Sequence, residues 1–69
     1  MSDKSLKLGS VWVNNDRYEG EGEIIIGKSL GKGWFECIHA NHTKYPVLNG
    51  SVEWKHETSI LAYFHKVSD

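Results

Sequence analysis

Residues 19–26 read Glu19-Gly20-Glu21-Gly22-Glu23-Ile24-Ile25-Ile26, and the fold turns on how they alternate. Successive side chains of a strand point to opposite faces. An extended stretch here places Glu19, Glu21 and Glu23 on one face and Gly20, Gly22, Ile24 and Ile26 on the other. The glycine–isoleucine face is expected to pack inward, leaving the three carboxylates as a solvated acidic ridge. Glycines on the inward face let a strand bend sharply or let another backbone approach closely, as a corner of a small barrel requires.

Working outward, Ser10-Val11-Trp12-Val13 is rich in β-branched and aromatic residues and predicts a first strand, stopped by Asn14-Asn15-Asp16. Downstream, Gly27-Lys28-Ser29-Leu30-Gly31-Lys32-Gly33 reads as a glycine-rich loop before a third strand, Trp34 to His39, that is apolar on both faces. Pro46 bars a central strand at 41–46, and Asn49-Gly50 is the strongest hairpin signal. Ser51 to Lys55 then alternates, with Val52 and Trp54 expected inward. From Thr58 to Val67 the apolar spacings of three and four predict a short helical turn capped by Thr58 or Ser59, followed by a brief last strand from Phe64.

Sixty-nine residues make one domain. A chain of this length buries only ~60% of the surface its unfolded form exposes. Apolar residues make up 39% of it, including three Trp, three Tyr and two Phe, enough for a compact core but not for a core plus a deep substrate cavity. Residues 1–8, polar with Leu6 and Leu8 isolated, read as a flexible arm, and 9–69 as the domain. The longest apolar run, Ile24 to Ile26, is too short to span a bilayer, and the start lacks the apolar stretch of a secretion signal. With one cysteine, Cys37, no internal disulfide can form, so a reducing, cytoplasmic setting is the expectation. A formal charge of −1 supplies no general attraction to nucleic acid or anionic membrane.

About five short strands, glycine-marked bends and one helical turn near the C-terminus point to an all-β domain, a small barrel. Gly9, Trp12, Trp54 and the closing Ile60-Leu61-Ala62-Tyr63-Phe64-His65-Lys66-Val67 form a pattern that resembles small SH3-like-barrel proteins of phages and mobile elements. The resemblance covers residues 9–67 and implies an SH3-like fold and a phage or mobile-element origin. Such proteins share no single activity, so it assigns no site residue.

Catalysis finds little support in the residues. Gly22-Glu23-Ile24-Ile25-Ile26-Gly27-Lys28-Ser29 fits the phosphate-loop pattern G-x-x-x-x-G-K-S. Its centre, however, prefers extended structure, sets a carboxylate where phosphate oxygens would lie, and has no helix-forming stretch after it. Cys37, His39 and His42, with His56 or His65, carry zinc-ligand chemistry, but without the paired cysteine spacing of structural zinc sites. The simpler reading is a small core thiol and ordinary loop histidines, so no metal or cofactor is expected. Glu19, Glu21 and Glu23 would be equally solvated, which leaves no reason for one to stay protonated as a general acid. No catalytic residue is assigned.

Binding suits the residues better. If Phe35 and Cys37 are buried, Trp34 and Ile38 form an apolar outer patch. Beside the ridge of Glu19, Glu21 and Glu23, and with at least one of Trp12 and Trp34 exposed and both taken as contact residues, that patch fits a protein partner or self-association as a homodimer. The alternative is a single-stranded nucleic-acid binder that meets phosphates through Lys28, Lys32, Arg17 and Lys44 and stacks bases on Tyr45. Phe35, Trp54 and Phe64 are expected in the core.

Overall fold

The computed structural model describes residues 6–69; the expected arm at residues 1–5 lies outside the described residues. Of its remainder, Leu6 packs against the core, and the Lys7 carbonyl accepts hydrogen bonds from the Ser10 amide and hydroxyl.

Five strands follow: β1 (Val11–Asn14), β2 (Glu23–Gly31), β3 (Trp34–Ala40), β4 (Val52–His56) and β5 (Phe64–Ser68). They form one antiparallel sheet in the order β4-β3-β2-β1-β5. A 3₁₀ turn, Pro46–Leu48, lies between β3 and β4, and a helix, α1 (Glu57–Tyr63), joins β4 to β5. This is the all-β architecture with one late helical turn that the sequence predicts. The ladders leave β4 and β5 as the two edges, with α1 packed against both.

The core consists of Trp12, Ile24, Ile26, Cys37 and Ile60, with Leu6, Phe35 and Phe64 against it. Ile24 and Ile26 do point inward, as their alternation requires, and Glu23 and Ile25 point the other way. The strand, however, begins only at Glu23. Glu19 and Gly20 form a turn, with Gly20 at φ +89°. Gly22 is buried under the 40–42 backbone, where an added Cβ would lie 2.1 Å from the Ala40 carbonyl oxygen. The glycines are therefore needed for close backbone approach, but in a loop rather than at a strand corner. Glu19, Glu21 and Glu23 consequently make no continuous ridge.

Three further expectations are corrected. The stretch 27–31 is strand rather than loop, and β2 runs through it with register shifts on either side of Lys28–Ser29. The tight turn comes next, at Lys32-Gly33, with φ of 56° and 87°, the two positive values that a type I′ hairpin demands. Asn49-Gly50, by contrast, closes the long 41–51 connection, where the Gly50 amide donates to the His39 carbonyl. The helix is capped by His56, whose ring nitrogen accepts from the Thr58 amide, rather than by Thr58 or Ser59.

Candidate interaction surface

Cross-strand pairing decides which residues share the outer face. Val11 stands opposite Ile25, Ile25 opposite Ile38, and Ile38 opposite Val52. Four β-branched side chains thus form one row across four strands, on the side away from Ile24, Ile26 and Cys37. Such neighbours contribute about 0.2–1 kcal/mol per pair to the sheet. The Ile38 side chain also lies over Gly27, where an added Cβ would come within 3.2 Å of it.

Beyond this row the face continues with two indoles. Trp34, 46% exposed, meets the His56 ring edge to face at 5.1 Å. Trp54 is 67% exposed and stands opposite Glu36. Trp34 and Ile38 therefore lie where the sequence places them, opposite the buried Cys37 and the partly buried Phe35.

Two expectations fail here, each for a reason of pairing. Trp12 is a core residue, 4% exposed, and its indole donates to the buried Ser10 hydroxyl, so it belongs to no surface. Val52 and Trp54, expected inward, face out, because β4 is set by its partner strand: Cys37 pairs with Glu53 and Phe35 with Lys55. The alternation of Ser51 to Lys55 fits either phase, and an edge strand can turn its charges inward where solvent still reaches them. Glu53 finds the His39 ring at 3.0 Å, and the Lys55 ammonium lies 5.4 Å from the centre of the Phe64 ring.

The inner face ends in a hydrogen-bonded chain. The Gly22 amide donates to Nδ1 of the buried His42 at 3.0 Å. Nε2 of His42 lies 3.1 Å from Nδ1 of His39, and Nε2 of His39 lies 3.0 Å from Oε1 of Glu53. Glu53 is held below the ordinary carboxylate range, first by the His39 hydrogen bond and also by Lys55. The His42 backbone amide donates to the Asn49 side chain, whose own amide returns a bond to the His42 carbonyl. The network ties the 41–51 connection to β2, β3 and β4.

Zinc chemistry is not assembled: among the described residues no group of three or more His, Cys, Asp or Glu side chains is placed to hold a metal ion. Cys37 is fully buried, and burial pushes its thiol up to about 11, so it stays protonated and unreactive near neutrality. His56 bonds Thr58 and the Lys32 carbonyl, and His65 bonds Asn15, both away from the His39–His42 pair.

The basic residues are likewise divided. Lys28 and Lys32 lie towards the β2–β3 turn, whereas Arg17, Lys44 and Tyr45 lie beyond the opposite end of β2. Lys44 and Tyr45 line an open cleft with Tyr18, Glu19 and Glu21, and the Lys44 ammonium sits 5.7 Å from the Tyr45 ring centre. Glu21 also accepts the Tyr18 amide, and Glu23 accepts the Asn41 side-chain amide at 2.7 Å. Compared with known proteins, the chain matches no family model, no curated sequence and no solved structure.

Proposed function

We propose that the protein is a non-enzymatic binding module that takes a protein partner on the outer face of its sheet. The observation that carries this reading is the unbroken row Val11–Ile25–Ile38–Val52, flanked by the exposed indoles of Trp34 and Trp54. An apolar surface bounded by charge, here Lys28 and Glu36, is where partners dock. Aromatic side chains of this kind commonly dominate the binding energy. The acidic contribution comes from Glu36 and from Glu23, which shares the side of Ile25, rather than from a continuous ridge at 19–23. For nucleic acid, the lysines stand apart, and carboxylates share the cleft that Lys44 and Tyr45 line.

The test compares the wild-type chain with Trp34→Ala and Ile38→Ser in affinity capture from its host, alongside titration of labelled oligonucleotides at two salt concentrations. Protein capture lost in both folded variants supports the reading. Oligonucleotide binding that weakens steeply with salt, with no protein captured, replaces it with the nucleic-acid alternative.

A further inference from the structure

We infer that two copies of the chain pair antiparallel along β4, about a twofold axis at Trp54. The inference rests on the protein-binding reading above, naming a second copy as the partner and the β4 edge as the part of the surface it meets.

The edge itself has the groups for such pairing. At either end of β4 the backbone shows which residues turn towards β3: the His39 amide donates to the Ser51 carbonyl, and the Glu57 amide donates to the Gly33 carbonyl. In an antiparallel ladder the hydrogen-bonding direction alternates with each residue. Odd-numbered residues of β4 therefore bond β3, and the amides of Val52, Trp54 and His56 with the carbonyls of Val52 and Trp54 point away from the sheet. The His56 carbonyl, at the N-cap, takes the first bond of α1. The β4–β3 register runs without a shift from Val52 to His56, leaving a regular template. The opposite edge is less suitable, because β5 carries an irregularity at Val67, between the pairs Val11–Ser68 and Trp12–Lys66. Bulges of this kind blunt an edge against pairing.

Charge then selects the register. Glu53 and Lys55 lie on one face of β4, and charges on an edge normally discourage association. An axis at residue 53 would set Glu53 against its own copy, and one at residue 55 would set Lys55 against its own. Only an axis at Trp54 sets each Glu53 opposite Lys55 of the second copy. It also sets Val52 opposite His56 and Trp54 opposite Trp54, with about four new backbone hydrogen bonds from the outward-pointing groups. The outer apolar row then continues across the axis, and the contact is the same patch on both copies, as twofold symmetry requires.

The experiment is analytical ultracentrifugation of the full chain from about 5 to 500 μM, with Glu53→Lys, Lys55→Glu and the double exchange, circular dichroism reporting the fold. The wild type is expected to dimerise, each single reversal to weaken association at least about tenfold, and the double exchange to restore it. Hydrogen exchange provides a second readout that needs no variant. The amides of Trp54 and His56 are expected to gain protection as concentration rises, while those of β5 do not. A wild type that stays monomeric at 500 μM, or dimers that survive both single reversals, overturns the inference. So does unchanged exchange at Trp54. None of these outcomes touches capture of a different protein through Trp34 and Ile38, so the two readings fail separately.

Discussion

His42 donates its Nε2–H to Nδ1 of His39 across 3.1 Å, and the direction of that bond is set by a glycine amide. Because the Gly22 N–H points at Nδ1 of His42, that nitrogen must be the acceptor, which leaves the proton of a neutral ring on Nε2. His39 then accepts at Nδ1 and donates from Nε2 to Glu53. With both rings neutral, one tautomer assignment satisfies every group. A second proton on either ring would set two N–H groups against each other.

Removing His42 exposes the importance of this chain. His42→Ala leaves the buried Gly22 amide without an acceptor and is expected to cost about 1–3 kcal/mol in urea unfolding. His39→Ala should cost less, because the neighbouring Glu53 is half exposed and water can replace the ring.

Glu53 links the network to pH. Its carboxyl is lowered from 4.5 in the folded chain, so the unfolded chain binds the proton more readily. The stability it contributes is complete above about pH 4.5 and is lost as pH falls through the lower folded value. Glu53→Gln should flatten that acid limb of the stability profile measured by urea titration. The exposed position and solvent screening keep the effect small.

Cys37 acts at the opposite end of the scale. Burial raises its thiol from 9.0 to about 11, so the folded state holds a proton that the unfolded state has already released. Stability should decline as pH rises from about 9 towards 11, and Cys37→Ala should remove that decline. At pH 7.5 iodoacetamide should label the protein only in denaturant, as followed by mass spectrometry.

Glycine substitutions separate crowding from backbone strain. Gly22→Ala drives a Cβ against the Ala40 carbonyl and the His42 amide, both backbone, and should prevent folding as judged by circular dichroism. Gly50 meets nothing within 4 Å but holds φ +88°, so Gly50→Ala should cost only about 1–2 kcal/mol for its left-handed conformation.

The two buried and exposed indoles should behave oppositely. Trp12→Ala empties part of the core and breaks the bond to Ser10, with an expected loss of about 3–5 kcal/mol. Trp54→Ala should change monomer stability by no more than about 0.5 kcal/mol while diminishing association, since its side chain is mostly in solvent. Thermal melts at low concentration and sedimentation distinguish the two effects.

Local patterning by itself determined the all-β class, the inward phase of Ile24 and Ile26, the outward phase of Trp34 and Ile38 relative to Cys37, and the late helical turn before Phe64. Each of these follows from side-chain alternation or helical spacing within a few residues, which the chain carries wherever it folds. Only tertiary pairing decided the rest. The string at 19–22 alternates like a strand, yet the 40–44 backbone crosses there and requires glycine for contact rather than for a bend. Val52 and Trp54 alternate with Glu53 and Lys55 equally well in either phase, and the register against β3 turned the charges in and the apolar pair out. The same register brought His39 to Glu53, while the Gly22 amide left Nε2 of a neutral His42 ring as the donor to His39. An alternating pattern specifies two faces, but which face meets the core depends on the strand laid beside it.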